Sequence, residues 1–486
     1  MRTITIDPIT RLEGHGKISI FLDDKGDVAD AYLQIPELRG FERFAQGRRA
    51  EDMPQITSRI CGVCPVAHHF AATKALDAAF HVDPPSAAKK LRELMYCGYI
   101  IYDHTLHFYY LGGPDFIVGP DASPEKRNIL GVIEKVGIEV GKEVIKHRAY
   151  GQKITAILGG KATHPVCGLP GGVSKGLNKD EVKEIENMTK SCIEFAKFSL
   201  KIFDDIVLKN KKYVEMIKSS PYQLKTYNMG LVDKNNKVNF YDGKIRVTDQ
   251  KGNEFLKFDV NDYHKNIEEH VEEWTYMKFP YLKSIGWKGF TDGKDSGIYR
   301  VGPLGRLNAS DGMATPLADK EYKRFYETLG GKAVNSTLAF HWARLIELLY
   351  ATERAMELIK DSEITSQKVR NPVGEPGEGM GIVEAARGTL IHHYKLNKDG
   401  LIEKANLIVA TTNNAGAINM TIRNAAKGVI KKGDVSNETL NLVEMAFRAY
   451  DPCFACATHT LPGGLPLEVS IYNHKKNLIK TLKQNI

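Results

Sequence analysis

The sequence predicts an α+β fold that is predominantly helical, with a long-helix bundle core, N-terminal antiparallel strands and a small β excursion. Long stretches repeat apolar residues with helical periodicity, whereas residues 2–38 and 222–300 alternate short β-prone runs with turn signals. Of the 486 residues, 42% are hydrophobic and 26% are charged, values that exclude disorder and collagen-like repeats. We expect one compact body over residues 1–486, because no internal repeat and no Pro-rich or Ser-rich linker divides it.

Local patterns predict the individual elements. KISIFL and VADAYLQI flank the turn signal DDKGD, which predicts a hairpin within residues 2–38. Helices are expected at 66–80, 86–111, 124–149, 179–218, 317–328, 335–360, 417–428 and 438–448. Residues 222–300 are expected to form a β-rich insertion, 382–396 a short helix or strand, and LPLEVSIYN in the last residues a strand.

Charge and hydropathy narrow the class of protein. The net charge of +8 is small for this length and forms no basic stripe, which argues against nucleic acid as a partner. The N-terminus lacks the apolar run of a secretory signal, and no apolar window is long enough to cross a membrane. We therefore expect a cytoplasmic protein with reduced cysteines.

The Gly/Pro segment NPVGEPGEGMG at 371–381 invites comparison with a phosphate-binding loop. Such loops follow a strand and open a helix, but here a charged helix and a polar linker come before the glycines. We therefore do not expect a nucleotide here.

The seven cysteines include two CxxC pairs, Cys61/Cys64 and Cys453/Cys456. Four thiolates at one point suit a soft transition metal. A structural zinc site is one alternative, but zinc ribbons usually join their pairs over a short stretch, and here Cys453 follows Cys64 by 389 positions. A thioredoxin-like redox pair is a second alternative, which lacks its βαβ context.

The surroundings of the two pairs resemble the large, catalytic subunit of nickel–iron hydrogenases. The pattern RxCGxCxxxH is matched by Arg59, Cys61, Gly62, Cys64 and His68. The pattern DPCxxCxxH is matched by Asp451, Pro452, Cys453, Cys456 and His459. DPITRLEGH at 7–15 and EAARG around Arg387 match as well, so the resemblance spans the chain. It implies reversible heterolytic cleavage of dihydrogen to protons and electrons.

The resemblance also implies a ligand set. Cys61, Cys64, Cys453 and Cys456 would bind nickel, and Cys64 and Cys456 would bridge to an iron that carries carbon monoxide and cyanide. Soft thiolates with small strong-field ligands suit this chemistry. Because no side chain supplies those diatomic ligands, maturation proteins are implied as partners.

Further residues receive roles by the same resemblance. Cys453 would accept the first proton, and Glu13 would be the first relay carboxylate. Arg387 would lie over the open side of the metals, held by Asp103 and Asp451. His68 would donate toward a bridging sulfur. Without the motif, each of these residues would be interpreted as an ordinary core or surface side chain.

A second, hard metal site is implied near the C-terminal histidine. Glu42, the carbonyl of Leu407 and His459 would bind magnesium, or iron in its place. Thr411 would hydrogen-bond a cyanide, although the surrounding ATTNN departs from the usual Pro-Ser/Thr-Thr-Trp-Asn. Residues 460–486 correspond to an extension that most relatives lose after His459. We expect this chain to retain it, because LPLEVSIYN predicts an ordered strand.

The remaining cysteines, Cys97, Cys167 and Cys192, are too scattered to hold an iron–sulfur cluster and are expected to be buried structural thiols. An iron–sulfur small subunit is therefore an implied partner. Resemblance favours the methanogen-type, deazaflavin-independent branch that works with heterodisulfide reductase and ferredoxin, with the deazaflavin-reducing branch next. A non-catalytic scaffold related to respiratory complex I and a zinc-stabilised structural protein are the other hypotheses. The four cysteines argue against the scaffold.

Overall fold

The computed structural model describes residues 2–7, 9–458, 467–472 and 478–484. Its strands are β1 Arg2–Ile6, β2 Lys17–Leu22, β3 Val28–Gln34, β4 Gly168–Leu169, β5 Gly172–Val173, β6 Tyr227–Val232, β7 Lys244–Thr248, β8 Glu254–Phe258, β9 Ile267–Val271, β10 Lys278–Leu282, β11 Tyr299–Arg300, β12 Glu378–Ala385, β13 Gly388–Leu396, β14 Ile402–Ile408, β15 Leu467–Tyr472 and β16 Leu478–Gln484.

The helices are α1 Phe41–Ala45, α2 Met53–Ser58, α3 Pro65–Ala79, α4 Ser86–Leu106, α5 Pro114–Ile117, α6 Ile129–Val136, α7 Ile138–Gly159, α8 Lys179–Phe203, α9 Lys211–Lys218, α10 Tyr263–Asn266, α11 Gly302–Ala309, α12 Pro316–Leu329, α13 Phe340–Ile359, α14 Ala410–Asn413, α15 Ala415–Val429, α16 Asn437–Arg448 and α17 Phe454–Ala457. The predicted helical α+β class is confirmed.

The N-terminal strands form the sheet β1-β2-β3, in which both neighbouring pairs are antiparallel. The predicted hairpin is confirmed, with Ile18 opposite Leu33. Ile18, Ile20 and Leu33 are fully buried. Apolar and polar residues alternate along these strands, so the apolar side chains lie on the face of the sheet that packs against the core. This sheet packs against α15, where the side chain of Asn419 accepts the backbone N–H of Leu33.

Residues 222–300 contain the strands β6 to β11, in two separate sheets of order β11-β6-β7-β8 and β10-β9. The strand content expected there is therefore present. The division into a body, an insertion and a C-terminal extension stays a prediction. In the extension, β15 and β16 pair antiparallel, and β15 lies where a strand was predicted.

The long helices α4, α7, α8 and α13 make the core of the bundle. α4 and α13 run antiparallel, because Glu93 pairs with Arg354 near one end and His104 with Glu347 near the other. Trp342 on α13 is almost completely buried, and its ring lies 5.8 Å from that of Phe203 on α8. These contacts hold α4, which carries a predicted site residue, in a rigid setting.

Two long helical predictions are each interrupted. The stretch predicted at 124–149 begins at Ile129 and breaks at Gly137, whose φ of 92° lies in the left-handed region that glycine tolerates. The stretch at 179–218 passes from α8 through a π-helical turn, Asp204–Leu208, before α9 starts at an Asn210 cap. Apolar periodicity continues across both breaks, which is why it did not reveal them.

Residues 378–381 of the Gly/Pro segment and the ambiguous stretch 382–396 together form the hairpin β12–β13. The last residues of the glycine run belong to β12, where Gly379 and Gly381 face α3. A Cβ on Gly381 would lie 2.3 Å from the carbonyl oxygen of Ala71. The glycines therefore allow a strand to pack directly on α3. The two-residue turn between Ala385 and Gly388 consists of Ala386 and Arg387.

A buried histidine on α3 predicts an acid-sensitive fold. His69 Nδ1 hydrogen-bonds the Pro54 carbonyl, and Nε2 accepts the backbone N–H of Gly168, so the ring is neutral. Burial lowers the pKa of His69 to about 4. The pKa of His69 is lower in the folded chain than in the unfolded chain, where it is about 6.5. The neutral ring therefore contributes its full stabilisation of the fold above pH 6.5, and this stabilisation is lost as the pH falls from there toward 4.

We expect the free energy of unfolding to fall by up to about 3 kcal/mol from this residue over that pH window. Urea denaturation measures the free energy of unfolding of His69→Gln and of the unsubstituted chain. The difference between the two should become smaller as the pH falls. The exposed His81 provides the control substitution, because His81→Gln removes an imidazole without disturbing the core. A gap for His69→Gln that stays constant with pH would contradict this account.

Candidate metal centre

The fold brings the two CxxC pairs to one buried point. Cys61 precedes α3 and Cys64 is its N-cap, while Cys453 is the N-cap of α17 and Cys456 lies within it. The Sγ atoms of Cys61 and Cys453 are 3.3 Å apart, those of Cys64 and Cys456 are 3.4 Å apart, and those of Cys453 and Cys456 are 2.9 Å apart. All four sulfurs lie within 4.8 Å of one another. The four cysteines are therefore placed to bind a metal centre.

The electrostatics of the four sulfurs favour a cation among them. Hydrogen bonds from the other thiols lower the pKa of Cys61 well below its usual range. Burial raises the pKa of Cys453 and of Cys456. Four adjacent thiols thus resist shared ionisation unless a positive charge compensates them. A metal cation meets that need, and the sulfur donor set fits the soft nickel–iron centre that the sequence implied.

Glu13 reaches this group from the loop between β1 and β2. Its Oε2 lies 2.9 Å from Cys453 Sγ and accepts the backbone N–H of Ala455 at 3.2 Å. Its carbonyl accepts the backbone N–H of Phe454, so both backbone and side chain are fixed. Burial raises the pKa of Glu13, with the Cys61 thiolate acting in the same direction. A carboxyl of this kind exchanges protons more readily near neutral pH than an exposed one.

Arg387 projects from the turn between β12 and β13 and is held by two buried carboxylates. Its Nη1 donates to Asp103 Oδ2 at 3.1 Å, and its Nη2 lies 3.0 Å from Asp451 Oδ2. Burial by itself lowers the pKa of Arg387, but Asp103 and Asp451 outweigh it, so the guanidinium stays charged. Asp451 has a left-handed φ of 58°, a conformation that aspartate tolerates better than most residues. The structure thus brings Arg387, Asp103 and Asp451 together.

His68 on α3 belongs to a buried chain that the sequence did not reveal. Its Nδ1 lies 3.1 Å from His392 Nε2, and His392 Nδ1 lies 2.7 Å from the hydroxyl of Tyr394. His392 and Tyr394 are on β13, whose IHHYK has no motif that marks a site. The only available signal was the period-two spacing, which puts both side chains on one face of the strand.

The implied second metal site consists of Glu42, Leu407 and His459. Glu42 on α1 accepts the backbone N–H of Leu407 at 2.6 Å, so these two residues meet. His459 lies outside the described residues. Thr411 on α14 accepts the backbone N–H of Cys453 at 3.0 Å, which ties this hydroxyl to the cysteine loop.

The other three cysteines are buried away from this centre, as predicted. Cys97, Cys167 and Cys192 are at most 4% exposed. Burial raises the pKa of Cys167 and of Cys192 to about 12, so these thiols stay protonated. Among the described residues, the four CxxC cysteines form the one group of this kind that is placed for a metal ion.

A buried group of four cysteine sulfurs, with a carboxyl against one of them and a guanidinium held nearby by two carboxylates, fits a redox metalloenzyme. The family described as nickel-dependent hydrogenase matches residues 39–125 and 142–459, and a HoxL-like family matches residues 3–38. The chain belongs to the nickel-dependent hydrogenase family and is the catalytic subunit of a nickel–iron hydrogenase. This membership sets aside the scaffold and zinc-stabilised hypotheses.

The relatives place the chain near hydrogenases of archaea. It is 49% identical, over 99% of this chain and 100% of the relative, to a subunit of the F420-non-reducing hydrogenase of Archaeoglobus profundus. It is 46% identical to a subunit of the F420-non-reducing hydrogenase vhu of Methanocaldococcus jannaschii, over 89% of this chain and 100% of the relative. The beta subunit of the NAD-reducing hydrogenase HoxS of Cupriavidus necator is 38% identical, over 98% of this chain and 99% of the relative.

Solved structures share the fold. An NAD+-reducing [NiFe]-hydrogenase in the H2-reduced state matches with a TM-score of 0.89 and 37% identity, over 94% of this chain and 100% of that one. The Ni-Fe-Se hydrogenase of Desulfovibrio vulgaris Hildenborough matches with a TM-score of 0.76 and 26% identity, over the same shares. Within the described part of the chain, no helix has the length and apolar content needed to span a bilayer.

Proposed function

We propose that this chain splits dihydrogen for a deazaflavin-independent hydrogenase and passes the electrons to an iron–sulfur partner subunit. The observation that carries this proposal is the set of four clustered sulfurs with Glu13 against one of them. Relatives named F420-non-reducing hydrogenase, at up to 49% identity, support the branch. Heterodisulfide reductase and ferredoxin would be the later acceptors, and the setting would be cytoplasmic.

Cys61, Cys64, Cys453 and Cys456 would hold the nickel, with Cys64 and Cys456 shared with the iron. The nickel–iron centre supplies a pair of soft metals at which dihydrogen is polarised and cleaved. Carbon monoxide and cyanide would complete the iron ligands, and Thr411 would hydrogen-bond one cyanide. Because the thiols resist shared ionisation without a cation, metal loading should release protons from them.

The proton released by cleavage would pass from Cys453 Sγ to Glu13 Oε2. The two atoms are already at hydrogen-bond distance, so the transfer needs no movement of the backbone. The N–H of Ala455 keeps the receiving oxygen aimed at the sulfur. Glu13 is partly exposed in this chain, so it can pass the proton onward from the buried site.

Arg387 would present a fixed positive charge beside the metals. Asp103 and Asp451 bind two different nitrogens of the guanidinium, which fixes its plane. A charge held in this way in a dry site costs no reorganisation when the reaction occurs. His68, backed by His392, would donate toward a bridging sulfur.

Glu42, the Leu407 carbonyl and His459 would bind a magnesium ion, or an iron in its place. The meeting of Glu42 with the Leu407 backbone supports this. One carboxylate and one carbonyl are oxygen ligands of the type that magnesium accepts while it retains waters.

The iron–sulfur subunit would cover the surface nearest the cysteines. Arg59 and Gly62 are exposed, although Cys61 between them is only 2% exposed. A partner on this surface would exclude water from the sulfurs and shorten the electron path. The three remaining cysteines of this chain offer no cluster site of their own, which supports the need for such a partner.

Metal analysis and infrared spectroscopy of the purified complex test the proposed cofactor. We expect one nickel in this chain, together with iron, and infrared bands from iron-bound carbon monoxide and cyanide. Zinc alone, or nickel without those bands, would contradict the proposed centre. Reduction of viologen but not of deazaflavin by dihydrogen would support the proposed branch, and rapid deazaflavin reduction would contradict it.

A further inference from the structure

A polar seam lies between the antiparallel helices α4 and α13. It adjoins the Arg387 clamp, the name we give to Arg387 together with Asp103 and Asp451. We define the seam by Asp103, His104 and His107 on the α4 side and by His341, Arg344 and Glu347 on α13. None of these residues is more than 2% exposed. The rings of His107 and His341 stack at 5.5 Å, and His104 Nε2 lies 2.9 Å from Glu347 Oε2.

The hydrogen bonds of the seam fix which histidine nitrogens carry protons. His107 Nε2 lies 2.9 Å from the carbonyl oxygen of Arg448, an atom that only accepts, so Nε2 carries the hydrogen. By the same argument His104 Nε2 donates to Glu347, a carboxylate held ionised by Arg306. Burial lowers the pKa of both histidines, so each ring is neutral and its Nδ1 is an acceptor.

Several atoms of the seam have no hydrogen-bond partner among the described residues. Arg344 donates from Nη2 to the Ala449 carbonyl at 3.0 Å, but its Nε and Nη1 meet no acceptor. Asp103 Oδ1 and the Nδ1 atoms of His104 and His107 meet no donor. Donors and acceptors are therefore both unsatisfied among side chains packed between the same two helices.

Such a pattern indicates bound water. A fully buried N–H or acceptor without a partner loses its bonds to water and gains none in return, so native proteins rarely leave one. Direct pairing does not occur here, although donors and acceptors are present. Water both donates and accepts, and buried waters typically bridge about three such groups.

Arg344 also connects the seam to the clamp. The carbonyl it binds belongs to Ala449, two residues before Asp451, and Asp451 holds Arg387 Nη2 at 3.0 Å. Burial lowers the pKa of Arg344 to about 10, and Asp451 and then Glu347 oppose that shift. Asp451 thus faces two guanidinium groups, one at the metal centre and one behind it.

We propose that ordered water molecules occupy this seam, bound by Arg344, and that Arg344 is a positioning residue which keeps Asp103 and Asp451 in place beneath Arg387. The waters would bridge Arg344 Nε and Nη1 to Asp103 Oδ1 and to the two histidine Nδ1 atoms. This inference rests on the proposed role of Arg387.

A high-resolution crystal structure of the assembled enzyme tests the waters directly. We expect ordered waters within hydrogen-bond distance of Arg344 Nε or Nη1 and of His107 Nδ1. A seam without water there, or with Arg344 paired directly to Asp103, would overturn the proposal. This test needs no variant, so it stands even if substitutions prevent folding.

Substitution tests the positioning role. Arg344→Met should lower kcat about 10- to 100-fold at unchanged nickel content and should shift the nickel electron paramagnetic resonance signal, whereas Arg344→Lys should recover part of both. Arg354→Met is the matched control, because Arg354 joins the same two helices through Glu93. It should leave the kcat and the signal unchanged.

Equal losses in Arg344→Met and Arg354→Met, or a normal signal in Arg344→Met, would overturn the positioning role. Full activity in Arg387→Met would instead overturn the proposed role of Arg387, so the two failures are distinguishable. An Arg344→Met chain without nickel would also count against a role confined to positioning.

Discussion

Replacing Cys61 with serine is expected to abolish dihydrogen turnover and nickel binding while the chain stays folded. A serine hydroxyl is a hard ligand that remains protonated, so it cannot take the place of a thiolate on a soft metal. Cys61 Sγ also accepts hydrogen bonds from the backbone N–H groups of Val63 and Cys64, at 3.2 and 3.4 Å, and these bonds stabilise its thiolate. We expect turnover to fall by more than about 100-fold, beyond the range for residues that only support ligands.

Cys97→Ser is the matched control for Cys61→Ser. Cys97 and Cys61 have the same exposure, 2%, but Cys97 lies on α4 away from the four sulfurs. The Cys97→Ser enzyme should keep its nickel and its rate of dihydrogen turnover and should lose only some stability. Circular dichroism checks the fold, and elemental analysis gives the nickel content. A Cys61→Ser enzyme with normal nickel and turnover would remove Cys61 from the ligand set.

Replacing Glu13 with glutamine is expected to retain the metal centre and slow proton exchange. The amide can keep the Ala455 N–H contact but cannot receive a proton from Cys453. General acid–base groups of this kind contribute about 10²- to 10⁴-fold, so hydrogen–deuterium exchange with solvent should slow by that range. Nickel content and infrared bands should match those of the unsubstituted enzyme.

Glu37→Gln controls for a general effect of losing a carboxylate near the N-terminal strands. Glu37 pairs with the exposed His15, two residues from Glu13, and has no contact with the sulfurs among its described bonds. Its substitution should leave exchange unchanged. Unchanged isotope exchange in Glu13→Gln would show that protons leave by another route.

Much of the site could be predicted because each motif places its functional side chains within a few residues of one another. Cys61 and Cys64 lie at the start of one helix, and their spacing alone gives them a common direction. That the second pair meets them required the family resemblance, since no local pattern encodes a contact across nearly the whole chain. Arg344 and His392 were missed for a related reason. Each lies in an ordinary helix or strand pattern, and its role depends on a neighbour from a distant element.

The fold was predictable where one periodicity dominates. The N-terminal hairpin and α15 followed from alternation and from helical spacing. Residues 382–396 stayed ambiguous because a strand buried on both faces lacks alternation, and β13 is mostly buried. The break at Gly137 depends on backbone conformation rather than on hydrophobicity.

The parallel bridge between Glu13 and Cys453 joins backbone segments 440 positions apart. During translation, Glu13 has no partner for this bridge until Cys453 has left the ribosome. Closing so large a loop costs conformational entropy, so we expect this contact to form late in folding. Because Cys453 follows Cys64 by 389 positions, the first two thiols are synthesised well before the last two, and the four sulfurs can meet only after both pairs have been made.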